Sequence, residues 1–182
     1  MQHDYNDLIR IFNETFLESL NTELKLGGDE PVYLPAADEY SHHQIIFARG
    51  YFASAMHELA HWCIAGSERR LLEDYGYWYE PDGRTEQVQA KFEAVEVKPQ
   101  AIEWILSVSC GFKFQVSCDN LSSDWEPNRV GFTLQVKDQV RLYLESGIPK
   151  RAQVLSDLFR KYYQIEPLAI NQFSAFDKNH AY

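Results

Sequence analysis

Hydrophobic residues recur at three- and four-residue steps along several stretches of the chain, which is the spacing of one buried face of an α-helix. The first stretch predicts an amphipathic helix over residues 4–26, ended by the glycine- and proline-rich segment that follows. Two later stretches predict helices over residues 129–144 and 151–163. A helix over residues 85–95 leads into a strongly apolar helix, which is expected to bend or restart at Pro99.

Two short runs have the composition of β-strands. Residues 32–34 and 44–48 are rich in β-branched and aromatic side chains and are bounded by proline or polar residues. The sequence contains no internal repeat and no linker that would divide it. We therefore expect an α+β fold, a mainly helical single domain over residues 1–182 with a small sheet.

The segment His57-Glu58-Leu59-Ala60-His61 has the form H-E-x-x-H and lies among residues that favour a helix. Residues four apart share one helix face, so His57 and His61 can direct two imidazoles toward one metal ion. Glu58 lies about 100° around the helix from His57, so it can approach that ion without binding it. The pentapeptide also occurs by chance, but its apolar flanks predict that these polar side chains are buried and need a shared partner.

Two histidines leave a metal ion short of ligands, and a carboxylate from another helix is a common third ligand. The candidates are Glu93 and Glu96, which are one helical turn apart. Glu96 lies between two valines and is expected to point inward, whereas Glu93 is expected nearer the edge. A surface position for both glutamates stays open at this point.

Composition narrows the class of protein. The formal net charge of −10 argues against general binding to nucleic acid. No segment has the pattern of a signal peptide or a transmembrane span, so we expect a cytoplasmic protein without a membrane partner. Three cysteines without a C-x-x-C pair fit a reducing compartment, where they are expected to be buried thiols. A monomer is the expected oligomeric state.

Two classes of metalloenzyme use two histidines and one carboxylate. Zinc hydrolases with H-E-x-x-H use the motif glutamate to deprotonate a metal-bound water, whereas non-haem iron oxygenases use the ligands to hold Fe(II). The residues alone favour a zinc metallopeptidase-like hydrolase, because the H-E-x-x-H spelling belongs mostly to that class. A non-catalytic binding module stabilised by a metal is a third reading.

Four segments together resemble the bacterial elongation factor P hydroxylase family. They are H-E-L-A-H-W-C-I-A-G at 57–66, D-Y-G-Y-W-Y-E-P-D-G-R at 74–84, F-E-A-V-E-V-K-P-Q-A at 92–101 and V-S-C-D-N-L at 116–121. The resemblance implies one catalytic domain that hydroxylates a lysine of elongation factor P after this lysine has received a β-lysyl group. It also implies a fold with a metalloprotease-like core around the H-E-x-x-H helix, distinct from the jelly-roll oxygenases.

The resemblance implies a metal-dependent monooxygenase mechanism. His57, His61 and Glu96 would hold Fe(II), with Glu96 preferred over Glu93 on the burial argument alone. Dioxygen would be the co-substrate, and Glu58 would orient water or move a proton near the metal. The electron source is not indicated by any segment of the sequence.

A β-lysylated lysine carries ammonium groups, which acids and aromatic rings bind through ion pairs and cation–π contacts. We expect this role for four residues in acidic or aromatic loops, although a solvated loop fits them equally well: Tyr79, Glu80, Asp82 and Asp119. Elongation factor P is acidic in the family picture, so basic side chains would have to face it. The residues expected there are Arg69, Arg70, Arg84 and Lys98.

Overall fold

Helices form most of the regular structure in the computed structural model, which describes residues 3–77, 83–118, 120, 122 and 124–174. In chain order the elements are α1 (Tyr5–Leu20), β1 (Thr22–Leu26), β2 (Val32–Leu34), β3 (His43–Phe47), α2 (Phe52–Ile64), α3 (Glu86–Ser109), α4 (Arg129–Ser146) and α5 (Lys150–Tyr163). Short 3-10 turns lie between α2 and α3 and after α5. The expected α+β fold, mainly helical with a small sheet, is confirmed.

The three strands form one sheet in the order β1-β3-β2. β1 runs parallel to β3, with Thr22 opposite His43 and Leu26 opposite Phe47. β2 runs antiparallel to β3, with Tyr33 opposite Ile45. The sheet leads directly into α2, so it fixes the position at which that helix begins.

The prediction of one helix over residues 4–26 is wrong in its last part. α1 ends at Leu20, where Asn21 adopts a left-handed conformation with φ of 50° and donates its backbone N–H to Phe16. Residues 22–26 then form β1, in which the buried Thr22 and Leu24 alternate with more exposed residues. Leu20 and Leu24 are four residues apart, so this strand alternation also satisfied the helical spacing used in the prediction.

α2 lies in the interior and packs against α3, α5 and β3. Its small and apolar residues Ala55, Met56, Leu59 and Ala60 are completely buried. Small side chains let neighbouring backbones approach closely, and the large ring of Trp62 fills the space toward α1. Packing against these elements therefore fixes the position of the histidine-bearing helix without help from a ligand.

α3 runs without interruption across Pro99, so the expected restart at that residue is wrong. Proline in a helix interior removes one backbone hydrogen bond and costs about 3 kcal/mol or more. The helix continues because residues 99–107 are all buried against neighbouring helices, and this packing exceeds the local cost. Its N-terminus is capped by Thr85, whose side chain accepts from the backbone N–H of Val88.

The remaining elements agree with prediction within two residues. The strands at 32–34 and 44–48 and the helices at 129–144 and 151–163 correspond to β2, β3, α4 and α5. One hydrophobic core runs from α1 through to Phe173 in the described residues. Among these residues, none of the helices combines the length and the apolarity needed to cross a bilayer.

Candidate metal centre

α2 and α3 bring three potential ligands together at one point. His57 and His61 project from the same face of α2, and their Nε2 atoms are 3.1 Å apart. Glu96 of α3 lies opposite, with Oε1 3.4 Å from Nε2 of His61 and Oε2 3.8 Å from Nε2 of His57. One ligand atom from each residue can be chosen so that all lie within 4.8 Å of one another. The three residues predicted to bind a metal are thus neighbours.

The burial of these side chains fits a bound cation. His61 and Glu96 each expose only 2 % of their side chains, and Oε1 of Glu96 has no hydrogen-bond donor. A buried carboxylate oxygen without a donor is costly, and a shared cation is one partner that removes the cost. Two imidazole nitrogens and a carboxylate suit several divalent first-row metals. The site is open on one side, where the His57 side chain is 27 % exposed.

Glu103 forms a hydrogen bond with Nδ1 of His57, the ring nitrogen that points away from His61 and Glu96. Its Oε2 lies 2.8 Å from Nδ1 of His57, and the residue as a whole is 7 % exposed. Glu103 follows Glu96 by seven residues on α3, so both carboxylates lie on the helix face toward α2. Glu103 was not among the site residues predicted from the sequence. Its signal in the sequence was a lone acid within the apolar run 101–106, where a buried and unpaired carboxylate would be very unfavourable.

Gln100 fixes the orientation of Glu96. Its Nε2 donates to Oε2 of Glu96 at 3.2 Å. The same amide donates to the carbonyl of Ser117 and accepts from the Ser117 backbone N–H, at 2.7 and 2.9 Å. Gln100 is completely buried, so the segment around Ser117 helps to hold the carboxylate in place.

Glu93, the alternative third ligand, lies outside the convergent group. Its Oε1 accepts from Nε2 of Gln89 at 3.0 Å. Gln89 also donates to the carbonyl of Cys118, so this pair links α3 to the loop beside it. A polar stripe therefore runs along one face of α3 at alternating four- and three-residue steps: Gln89, Glu93, Glu96, Gln100 and Glu103.

The charges of these side chains affect one another strongly. Burial disfavours a charged His57, but the nearby carboxylates of Glu103, Glu96 and Glu58 outweigh it and raise the pKa of His57 to about 10. Burial also opposes the charged form of Glu96, but the close approach of His61 Nε2 and the positive charges of His61 and His57 lower the pKa of Glu96 to about 2. A proton on His57 is therefore stabilised by the carboxylates on either side of the ring.

Glu58 is partly buried on α2 and does not belong to the convergent group. Burial, with the negative charges of Asp74 and Glu96, raises the pKa of Glu58 above its ordinary value. The positive charges of His57 and His61 act in the opposite direction. Its carboxyl group is thus suited to exchange a proton rather than to stay permanently ionised.

Aromatic rings form a wall beside His61. Tyr75 is buried and lies parallel to the His61 ring, with centroids 6.5 Å apart, and it stacks on Tyr33 at 4.2 Å. The ring centroid of Tyr77 lies 6.4 Å from that of His61. Asp74 and Tyr75 both have positive φ, 44° and 58°, a strained backbone that often occurs at functional sites. The Asp74 carboxylate accepts from the Tyr33 backbone N–H and so helps to support this turn.

The four residues expected to bind the substrate lie outside the described residues: Tyr79, Glu80, Asp82 and Asp119. Their role stays a prediction.

The expected basic docking surface needs one correction. Arg84 is only 9 % exposed, because its guanidinium donates to Gln89 and lies over the ring of Phe92. It therefore cannot contribute to a docking surface. Arg69 is exposed and lies over Tyr77, Arg70 is partly exposed, and Lys98 is exposed on α3.

Comparison with known proteins agrees with the resemblance seen in the sequence. The profile of a family described as elongation factor P hydroxylase matches residues 11–173. A protein of Haemophilus influenzae named elongation factor P lysine hydroxylase is 53 % identical over 169 residues, which cover 91 % of this chain and 93 % of that protein. The chain therefore belongs to the elongation factor P hydroxylase family.

Proposed function

We propose that this protein hydroxylates the β-lysylated lysine side chain of elongation factor P, with a metal held by His57, His61 and Glu96. Membership of the family supports the substrate and the type of reaction. The observation that carries the chemistry is the convergence of two imidazoles and one carboxylate on a partly open site. This set of ligands is the facial triad that non-haem iron oxygenases use.

Fe(II) is the metal that we propose, since it supplies the ability to activate dioxygen when bound to such a triad. One oxygen atom enters a C–H bond of the substrate and gives the hydroxyl group. The other leaves as water with two electrons and two protons, which an external reductant provides. The protein thus acts as a monooxygenase in a single catalytic domain.

The protein's own side chains have distinct tasks in this proposal. His61 and Glu96 form the buried side of the site, and the exposed edge of His57 marks the side from which the substrate side chain enters. Glu58 orients water or moves a proton, which its raised pKa favours. Tyr79, Glu80, Asp82 and Asp119 are proposed to bind the ammonium groups of the substrate.

A zinc hydrolase would use the same motif, with Glu58 as the base that activates water. The family of the chain does not favour it. The two chemistries leave different products, because one adds an oxygen atom to an intact protein and the other cleaves a peptide bond.

The test is the intact mass of β-lysylated elongation factor P, purified from cells that lack this protein and from the same cells supplied with it. We expect a gain of one oxygen atom only when the protein is present. An unchanged mass, with the metal-loaded protein present in excess, would contradict the proposal. Peptide cleavage instead of oxygen addition would support the hydrolase.

The variant Glu58→Gln separates the role of Glu58 from metal binding. The amide has nearly the same size but cannot exchange a proton, so hydroxylation should fall by about 100-fold or more. Its metal content should match that of the wild type, because Glu58 is not one of the converging residues. Loss of the metal from this variant would show that Glu58 is a ligand instead.

A further inference from the structure

We propose that Glu103 is a positioning residue of the metal centre, which acts through His57. By accepting the hydrogen bond from Nδ1–H, it makes Nε2 the nitrogen that binds the metal once the ring has lost its second proton, and it fixes the plane of the imidazole. This inference rests on the proposed metal centre and adds a residue outside the ligand set.

The geometry requires one particular tautomer of His57. A neutral imidazole carries one N–H donor and one nitrogen acceptor. Nδ1 lies 2.8 Å from a carboxylate oxygen of Glu103, which can only accept when ionised. Nε2 is the atom that faces His61 and Glu96. The proton therefore belongs on Nδ1, and Nε2 is the metal-binding nitrogen.

The carboxylate of Glu103 is buried and is directed at the His57 ring. Glu103 is 7 % exposed, and a buried carboxylate is costly unless it has a partner. Among the described residues, its hydrogen-bonding partner is His57. The role of an acid at this position is therefore to accept a hydrogen bond from Nδ1 of His57 and so orient the ring.

The contact also joins two helices at the reacting site. His57 lies on α2 and Glu103 on α3, 46 positions apart in sequence. Glu96 on the same helix is held by Gln100. α3 thus supplies the ligand Glu96, the residue Gln100 that orients this ligand, and the residue Glu103 that orients His57. Loss of such an outer partner typically weakens metal affinity by about 10- to 100-fold.

The test compares Zn²⁺ affinity of the purified protein with that of Glu103→Ala, Glu103→Gln and the control Glu93→Gln. Zn²⁺ serves as the probe because it is redox-inactive and diamagnetic. We expect Glu103→Ala to bind about 10- to 100-fold more weakly once each affinity is corrected for the proton that His57 releases on binding. Glu103→Gln should lose less, because its amide oxygen still accepts the Nδ1 proton but carries no charge. Glu93→Gln should bind like the wild type, since Glu93 contacts Gln89 and neither histidine.

Nitrogen NMR of the histidine rings in the Zn²⁺-loaded proteins distinguishes positioning from a general structural role. The wild type should show His57 protonated at Nδ1 and bound through Nε2. Glu103→Ala should lose this fixed arrangement, and Glu103→Gln should partly restore it. If Glu103→Ala does not fold, the affinity and the spectrum of Glu103→Gln decide the question.

Two results would overturn the inference. One is an affinity in Glu103→Ala, or in Glu103→Gln where only that variant folds, equal to that of the wild type. The other is a wild-type His57 bound to Zn²⁺ through Nδ1. Failure of the wild type itself to bind Zn²⁺ would be a different outcome, because it would refute the proposed metal centre as a whole.

Discussion

His57 has a carboxylate near each of its ring nitrogens. Glu103 lies at Nδ1 and Glu96 near Nε2, and together with Glu58 they outweigh the effect of burial and raise the pKa of His57 to about 10. A proton on Nε2 occupies the lone pair that a metal needs. At neutral pH the metal must therefore displace this proton before it binds.

Metal affinity should consequently depend on pH over an unusually wide range. Because the metal-free His57 binds a proton below about pH 10, affinity should rise with pH, by about tenfold per unit between roughly pH 7 and 9. An unperturbed histidine would stop contributing above about pH 6.5. Zn²⁺ titrations against a competing chelator of known pH dependence measure this slope. A flat profile above pH 7 would show that His57 is already neutral in the metal-free protein.

At the residue scale, spacing within one helix was predictable and pairing between helices was not. His57 and His61 are four residues apart, so their convergence follows from helical geometry alone. The inward orientation of Glu96 was predicted correctly from its flanking valines, but Val95 is 46 % exposed, so the valines are not its cause. Glu96 is buried because it lies on the face of α3 that packs against α2. The contact of Glu103 with His57 depends on how α2 crosses α3, which no local pattern specifies. An acid in an apolar run gave only the weaker indication that some partner exists.

Arg151 of α5 holds the C-terminal end of α2, one turn beyond His61. Its Nη2 donates to the carbonyl oxygens of Trp62, Cys63 and Ala65, and its guanidinium lies 4.8 Å from the Trp62 ring centroid. The last carbonyls of a helix have no partner within the helix and carry partial negative charge. Arg151 supplies both the hydrogen bonds and the complementary charge.

Replacing Arg151 by methionine should therefore destabilise the protein. Arg151→Met keeps an apolar stem but removes the donors, and we expect the free energy of unfolding to fall by about 2 to 3 kcal/mol. The control Arg141→Met removes an exposed arginine of α4 that forms surface ion pairs with Asp138 and Glu145, and it should cost about 0.5 kcal/mol or less. Urea unfolding of the metal-free proteins measures both. Equal losses in the two variants would mean that the cap contributes no specific stability.

At the element scale, the errors of prediction come from tertiary packing. The leucines of residues 20–26 fit both a helix and a strand, and pairing with β3 selects the strand. Pro99 interrupts a helix by its local chemistry, yet the buried segment that follows it keeps α3 continuous. In both places the deciding interaction is with an element distant in sequence, which the local pattern does not contain.

At the scale of the whole molecule, the H-E-x-x-H motif is compatible with two kinds of chemistry, hydrolysis and oxygenation. The family to which the chain belongs indicates only hydroxylation. Residue types at the site suit zinc and iron alike, because both metals accept imidazole nitrogens and a carboxylate oxygen as ligands. The motif alone favoured a hydrolase because the H-E-x-x-H spelling belongs mostly to that class, whereas the match over residues 11–173 identifies a hydroxylase family. The reaction at such a site depends on which metal is bound and on which substrate reaches it. The spacing of the ligands along the sequence predicts neither.

The most direct test measures metal content and elongation factor P mass side by side for the wild type, Glu96→Gln and Glu93→Gln. These two substitutions are identical in chemistry and one helical turn apart, but only Glu96 faces both histidines. We predict that the wild type and Glu93→Gln bind the metal and add one oxygen atom to elongation factor P, whereas Glu96→Gln does neither. Hydroxylation by Glu96→Gln at the wild-type level would contradict the proposed metal centre.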